Sequence, residues 1–158
     1  RAMANLPAQV GLGLTSFPAA EGVSRLERST IEQLLDTTGR SIYLETEKDI
    51  DASTGISGSG PAYIFYFMQS MLEAALNMGF SARDARTLVH QTFAGAVELF
   101  GSSDLDPTAW MAKVASKGGT TRAALDSMED NNVKEMIKEA AYAAFNRAIE
   151  LGKEFDHA

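Results

Sequence analysis

Residues 56–78, with the sequence ISGSGPAYIFYFMQSMLEAALNM, decide the fold of this chain. Ser59 is placed to cap a helix, Pro61 suits the first turn because its missing N–H costs nothing there, and Gly79 can supply a left-handed stop. The segment therefore predicts a helix over residues 61–78. Its apolar side chains lie on more than one face, so the helix must be buried on several sides. A subunit interface and a central position within the monomer both satisfy that requirement.

Four further helices are predicted after Gly79, each with its own start signal. In chain order they run from Ser81 to residue 100 with a stop at Gly101, from Asp106 and Pro107 to about residue 115, from Thr120 or Thr121 to about residue 128, and from Asn132 with Glu135 to about residue 154. Five helices in about 100 residues predict a mainly α fold, a compact helical bundle.

The first 50 residues have a different sequence pattern. Residues 9–17 and 41–45 favour β-strands, and residues 26–38 carry a helical pattern that ends before Gly39. This order predicts a strand, a helix and a strand. A unit of that size would expose much of its apolar surface, so we expect the tail of a larger α/β domain. The predicted domains are residues 1–50 and residues 51–158.

Composition argues against several classes of function. The 158 residues are 45% hydrophobic and 22% charged, as in an ordinary soluble globular protein. The formal net charge of −7 and the lack of a basic cluster argue against nucleic acid as a partner. The absence of cysteine removes disulfides and thiolate metal sites, and two distant histidines, His90 and His157, give little support to a metal site or a Ser/His/Asp triad. No apolar run approaches the roughly 18 residues that a membrane helix needs.

Two short stretches rich in glycine and hydroxyl side chains stand directly before predicted helices, at residues 57–62 (SGSGPA) and 116–121 (SKGGTT). Glycine lets several backbone N–H groups converge, and the following helix adds unpaired N–H donors and the positive end of its dipole. Such a site suits a carboxylate or a phosphate. The same residues also serve as ordinary caps and tight turns, and both interpretations stay open. Neither stretch has the glycine spacing of a dinucleotide fingerprint.

These stretches resemble the signatures of the pyrroline-5-carboxylate reductases. Residues 56–63 (ISGSGPAY) match the family's Leu/Ile-Ser-Gly-Ser-Gly-Pro-Ala-Tyr, and residues 116–121 match its Ser-Pro-Gly-Gly-Thr-Thr. Residues 1–7 (RAMANLP) are similar to its Arg-x-Met-Pro-Asn-Thr-Pro, so the resemblance covers the whole chain. The chain departs from the family pattern at Ala4, Leu6 and Lys117.

The resemblance implies a fold, an activity and partners. The fold would be a helical dimerisation domain similar to the C-terminal domain of 6-phosphogluconate dehydrogenase, preceded by a β-α-β remnant of a Rossmann-type domain. The activity would be the reduction of the imine 1-pyrroline-5-carboxylate to L-proline, the last step of proline biosynthesis, with NADPH or NADH. The cofactor would be bound mainly by an N-terminal domain absent from this sequence, so these residues alone would be inactive. We also expect a cytoplasmic, interleaved homodimer with active sites at the subunit interface.

The resemblance also implies roles for individual residues on the substrate side. Thr121 would be catalytic, as a hydrogen-bond partner of the ring nitrogen or as a proton route, and would bind substrate. Ser59 would lie beside the substrate. The substrate carboxylate would be held by hydroxyl and backbone N–H donors of Ser116, Gly118, Gly119 and Thr120.

On the cofactor side, the resemblance places Ser57 beside the nicotinamide. The other residues that would touch the cofactor are Met3, Ala4 and Asn5. No metal is implied.

Two other interpretations of the sequence remain open. The helical half resembles in outline those dehydrogenases that use a catalytic lysine, and Lys117 is the only lysine in either glycine-rich stretch. A non-enzymatic helical dimerisation module is the second alternative, in which the scaffold is kept without the chemistry.

Overall fold

A computed structural model of the protein describes residues 1–155. They fold as two units, and His157 lies outside the described residues. The first unit comprises Arg1–Ile64 and the chain from Ile137 onward, whereas the second comprises Phe65–Met136. The chain crosses from one unit to the other twice, each time within a long helix that is described below.

A parallel β-α-β motif forms the amino-terminal part of the first unit. Its elements are β1 (Gly13–Pro18), α1 (Arg25–Leu35) and β2 (Gly39–Leu44). The two strands pair in parallel, from Gly13 opposite Gly39 to Pro18 opposite Leu44. A side chain at Gly39 would strike the backbone of Gly13, so this close approach requires glycine. The predicted order of strand, helix and strand is confirmed.

The boundaries of this motif differ from the prediction at two places. The strand expected from Gln9 begins only at Gly13, because Leu6–Val10 form a 3₁₀-helix with a proline in its first turn. Gly11 ends that helix in the left-handed region, with φ 74°. The helix expected to reach residue 38 ends at Leu35, since the next three residues tighten into a 3₁₀ turn.

Further helical segments follow β2 along the described chain. They are α2 (Lys48–Ser53), a π-helical turn (Thr54–Gly58), α3 (Gly60–Asn77), α4 (Ala82–Gly101), α5 (Pro107–Val114), α6 (Thr120–Asp130) and α7 (Val133–Phe155), of which α2 to α7 are α-helices. The predicted caps Ser81 and Asp106 accept hydrogen bonds from the N–H groups of Asp84 and Ala109. Gly79 is left-handed after α3, as expected. The mainly α fold class, with the helices α3 to α7 in the carboxyl-terminal part, is confirmed.

Two predicted helix caps are wrong. Ser59 does not cap α3, because the chain enters α3 from the π-helical turn with Ser59 already in helical geometry. The predicted end of α4 at Gly101 is confirmed. Thr120 and Thr121 are the first two residues of α6, and Gly119 takes the extended cap position before them.

The single chain buries little of its apolar surface. Its accessible surface is 11934 Å², whereas a folded monomer of 17.0 kDa exposes about 7,700 Å². On α3, Phe65 and Tyr66 are 58% and 75% exposed, and within the described chain this helix contains no buried residue. The described residues therefore do not bury α3 by themselves, contrary to a central helix within this part of the chain. Across residues 1–155, no helix combines the length and the apolar character needed to cross a membrane.

Candidate functional site

The predicted cofactor residues at the amino terminus lie against β1. Met3 and Ser16 exchange two backbone hydrogen bonds, of 2.8 and 2.9 Å, in an isolated antiparallel bridge. Ala4 follows in an exposed position, and Asn5 is extended before the 3₁₀-helix. This short segment is thereby fixed to the first strand of the β-α-β motif.

Asn5 connects two separate parts of the first unit. Its side-chain Oδ1 accepts a hydrogen bond of 2.9 Å from the N–H of Leu14 in β1. Its side-chain Nδ2 donates a hydrogen bond of 3.1 Å to the carbonyl oxygen of Ser57, 52 residues further along the chain. Both ends of the amide are therefore used, one on the strand and one on the π-helical turn.

The π-helical turn carries the predicted nicotinamide contact, Ser57. The N–H of Ser59 donates to the carbonyl oxygen of Thr54 at 2.9 Å, which is the five-residue spacing of a π-helix. A side chain at Gly58 would meet the terminal methyl carbon of Met3 at 2.7 Å, so glycine lets the methionine pack on the turn. The structure thus brings Met3, Asn5 and Ser57 together, and their contact with a cofactor stays a prediction.

The hydroxyl group of Ser57 has unused hydrogen-bonding capacity. Its Oγ is buried and has no hydrogen-bond partner among residues 1–155. Buried polar atoms without a partner cost stability and often mark a site that a ligand completes. Ser59, two residues later, is half-buried in helical geometry at the entrance of α3.

The predicted carboxylate-binding loop lies in the second unit, between α5 and α6. The N–H of Gly119 donates to the carbonyl oxygen of Ser116 at 3.0 Å and closes a four-residue turn. Gly118, the third residue of that turn, has φ 73°, which strongly favours glycine. A side chain at Gly119 would come too close to the Ser116 hydroxyl oxygen, so the Ser116 side chain would have to rotate.

The amino terminus of α6 is open to a ligand acceptor. Its cap residue is Gly119, which has no side chain, so no side-chain hydrogen bond from the cap position satisfies the first N–H groups. The first N–H groups of a helix, here those of Thr120, Thr121 and Arg122, have no partner within the helix. Together with the helix dipole they favour a bound anion. The turn and the first two positions of α6 contain all the predicted residues, Ser116, Gly118, Gly119, Thr120 and Thr121, whose binding of a carboxylate stays a prediction.

Thr121 also borders an apolar pocket of about 290 Å³ within the second unit. Its lining residues are Ala96, Leu99, Trp110, Met111, Val114, Thr121 and Leu125. The indole N–H of Trp110 is buried and lacks a hydrogen-bond partner within the described part of the chain. Thr121 therefore stands between the polar turn and an apolar wall, an arrangement suited to a ligand with both characters.

Arg122, in the first turn of α6, is a charged residue next to the loop. Its Nε donates to Asp126 at 2.7 Å and its Nη2 lies 3.4 Å from Glu129, one and two turns along α6. Hydrogen bonding to Asp126 and the charges of both carboxylates raise the pKa of Arg122. The guanidinium stays charged and directed along the helix. Within residues 1–155, no three His, Cys, Asp or Glu side chains cluster to hold a metal ion, and His90 lies exposed on α4.

Sequence reasoning missed two features of these sites. The Asn5–Ser57 hydrogen bond joins residues 52 positions apart, and no local sequence pattern predicts such a contact. The π-helical turn was also missed, although glycines at positions 55, 58 and 60 signal a departure from ordinary helical geometry. The two groups of site residues belong to different units of the chain.

Comparison with known proteins identifies the family. A family model described as pyrroline-5-carboxylate reductase dimerisation matches residues 47–151. Pyrroline-5-carboxylate reductase of Pseudomonas aeruginosa is 37% identical over 154 residues, covering 98% of this chain and 56% of the relative. Pyrroline-5-carboxylate reductase 2 of Bacillus subtilis is 32% identical, covering 98% of this chain and 55% of the relative. The chain thus spans just over half the length of these curated relatives.

Solved structures give the same result. The reductase of Coxiella burnetii superposes with a TM-score of 0.91 at 36% identity, over 96% of this chain and 56% of the other. The Plasmodium falciparum pyrroline carboxylate reductase, solved with NADP bound, superposes with a TM-score of 0.89 at 31% identity, over 96% of this chain and 62% of the other. The chain therefore belongs to the pyrroline-5-carboxylate reductase dimerisation family.

Proposed function

We propose that the full-length protein is a pyrroline-5-carboxylate reductase, which reduces 1-pyrroline-5-carboxylate to L-proline with NADPH or NADH. The observation that carries this proposal is the loop at residues 116–121, a glycine turn that opens onto the uncapped amino terminus of α6. A cyclic imine with one carboxylate needs an anion site beside a less polar surface. Thr121 borders both.

In this proposal the loop binds the substrate carboxylate. The N–H of Gly119 is used within the turn, so the available donors are the N–H groups of Thr120 and Thr121 and the hydroxyl of Ser116. Gly118 and Gly119 contribute by allowing the turn and by leaving space for the carboxylate. Each charge-assisted hydrogen bond favours the ionised carboxylate and fixes its orientation.

Thr121 then lies beside the imine nitrogen, and its hydroxyl donates a hydrogen bond to it. The nitrogen becomes more basic as the C=N bond is reduced, and the Thr121 hydroxyl passes it a proton from water. When bound, the nicotinamide supplies the two electrons and the hydrogen that the imine carbon takes up. Ser59, half-buried at the entrance of α3, is a further substrate contact in this proposal.

The amino-terminal residues fit a nicotinamide cofactor. The Ser57 hydroxyl is buried and unpartnered among residues 1–155, as expected of a group that a bound carboxamide would satisfy. Met3, Ala4 and Asn5 form the adjoining segment and would complete the contact. The related reductase of Plasmodium falciparum binds NADP in its crystal structure, which supports this class of cofactor.

The proposal includes a homodimer and a two-domain organisation. The family is described by its dimerisation, and the exposed α3 has the apolar surface that a second subunit would cover. We infer a boundary near residue 50, since the family match begins at residue 47 and α2 begins at Lys48. A cytoplasmic location stays a prediction.

The test is turnover of 1-pyrroline-5-carboxylate by the full-length protein, followed through NADPH oxidation. Thr121→Val removes the hydroxyl and keeps the branched shape, so kcat should fall by about 10²-fold or more. Thr121→Ser restores the hydroxyl and should recover most of the rate. Thr92→Val is the matched control, because the Thr92 hydroxyl is bonded within α4 to Leu88.

Wild-type protein that folds, dimerises and binds NADPH but leaves the imine unreduced would contradict the proposed function. An equal loss of kcat in Thr121→Val and Thr92→Val would contradict the role of Thr121. Unchanged properties in Thr121→Val would favour the non-enzymatic dimerisation module instead.

A further inference from the structure

The Asn5 side chain meets two demands that few other side chains can meet together. It presents an acceptor to the Leu14 N–H at 2.9 Å and a donor to the Ser57 carbonyl oxygen at 3.1 Å. Among the side chains, only an amide carries an acceptor oxygen and an N–H donor on one planar group of this size. Aspartate keeps the acceptor but turns the donor into a second acceptor, facing a carbonyl oxygen.

The Ser57 carbonyl lies in a stretch of backbone with irregular hydrogen bonding. The turn uses the five-residue π spacing, in which Ser59 donates to Thr54. Single π-helical turns are rare and concentrate at functional sites, because they re-aim the side chains that they carry. The Asn5 amide adds a contact from outside the helix, which holds the turn from a second direction.

Two further contacts close the arrangement around Ser57. The Tyr63 hydroxyl donates to the Gly55 carbonyl oxygen at 2.9 Å, and Met3 packs against Gly58. Ser57 itself keeps a buried Oγ with no partner in residues 1–155. The surroundings therefore restrain the backbone of Ser57 and leave its hydroxyl for another group.

We propose that Asn5 is a positioning residue of the reductase: its side-chain amide holds the π-helical turn so that the Ser57 hydroxyl is ready to hydrogen-bond the bound nicotinamide cofactor. The inference rests on the proposed function, which supplies the cofactor. In this inference Asn5 acts through Ser57 and not through a cofactor contact of its own side chain, because both ends of its amide are used within the protein. It predicts that the two residues are coupled energetically.

The experiment is a double-mutant cycle in the full-length protein, with Asn5→Asp, Ser57→Ala and the double variant. Asn5→Asp should raise the KM for NADPH about tenfold, since one hydrogen bond that positions a ligand contact is lost. The KM for 1-pyrroline-5-carboxylate should change by less than about twofold. In the Ser57→Ala background, Asn5→Asp should have little further effect on either constant, because Asn5 acts through that hydroxyl.

Asn131→Asp is the matched control. The Asn131 side-chain amide also donates to a backbone carbonyl, that of Ser127 at 2.8 Å, at the end of α6. Loss of this Asn131 hydrogen bond should leave the KM for NADPH unchanged. This control separates the loss of the Asn5 contact from a general effect of introducing a carboxylate.

Hydrogen exchange of the unliganded protein gives a readout independent of activity. Asn5→Asp should speed amide exchange in residues 54–60 by about tenfold and leave α6 unchanged. Unchanged exchange at residues 54–60, or additive effects in the cycle, would overturn the positioning role. A folded wild-type protein without turnover would overturn the proposed function, a different result from active enzyme with an additive cycle.

Discussion

The hydroxyl group of Tyr63 donates a hydrogen bond of 2.9 Å to the carbonyl oxygen of Gly55, eight residues earlier in the chain. Tyr63 stands in the first turn of α3 and Gly55 stands in the π-helical turn that precedes it. The bond therefore ties the regular helix to the irregular one. It lies in the same stretch as Ser57, so the stability of this stretch bears on the candidate site.

Replacing Tyr63 by phenylalanine should destabilise the first unit modestly. Tyr63→Phe keeps the ring and removes one partly buried hydrogen bond, worth about 1 kcal/mol. Urea unfolding at fixed protein concentration measures the change. Tyr142→Phe is the control, since Tyr142 is 59% exposed on α7, and an equal loss in both variants would contradict the expectation.

A methyl group at Gly55 should be costly because it has no room. A Cβ there would lie 3.0 Å from the Cβ of Phe145 and 3.1 Å from the carbonyl oxygen of Ala141. Overpacking of this kind costs about 1–3 kcal/mol, so Gly55→Ala should lower the unfolding midpoint. Gly101→Ala, at an open position at the end of α4, should change stability by less than about 0.5 kcal/mol. If Gly55→Ala left the stability unchanged, the backbone around Gly55 would have to shift to make room for the methyl group.

The start of α1 should contribute stability that depends on pH. The Ser24 hydroxyl and then the Ser24 N–H donate to the Glu27 carboxylate, at 2.7 and 2.9 Å, and lower the pKa of Glu27 below its ordinary 4.5. A lowered folded pKa means that the stabilisation is present above the ordinary value and is lost as the pH falls through the folded one.

Glu27→Gln should therefore be less stable than wild type at neutral pH and closer to it at a pH well below 4.5. Urea unfolding at the two pH values measures this difference. In the Ser24→Ala background the pH dependence of the difference should shrink, because the donors to the carboxylate are reduced. A constant difference between the proteins across this range would contradict the expected linkage.

Lys117→Pro should keep the reductase activity. Lys117 is the second residue of the turn that the Gly119–Ser116 hydrogen bond closes, a position that favours proline when the third residue is left-handed, as Gly118 is. Turnover by the full-length protein should stay within about twofold of wild type, and the loop should gain rigidity. Lys117→Met removes the charge alone and serves as control. Loss of turnover in both variants would point instead to a dehydrogenase with a catalytic lysine.

The full-length protein should be a dimer, and α3 should hold it together. Tyr66→Arg introduces a charge on the exposed apolar surface of α3 and should weaken association. Light scattering at micromolar concentration should give twice the chain mass for wild type and a lower mean mass for the variant. A monomer mass for wild type would contradict the dimer.

Local signals in the sequence predicted much of the fold and part of the site. Ser81 and Asp106 cap helices as expected, because a cap depends on residues three positions apart. The loop at residues 116–121 was predicted for the same reason, since its turn and the helix start lie within six residues. The start of α3 was predicted wrongly, because its geometry depends on the preceding π-helical turn and not on Ser59 alone.

The sequence by itself determined the parallel β-α-β motif, the five carboxyl-terminal helices and the glycine turn before Thr121. These features arise from apolar periodicity, caps and left-handed glycines, which act over a few residues. Only the tertiary structure decided that Asn5 reaches Ser57 and that α3 stays exposed in a single chain. Both depend on how distant segments pack, and packing between residues 52 positions apart leaves no periodic trace in the chain.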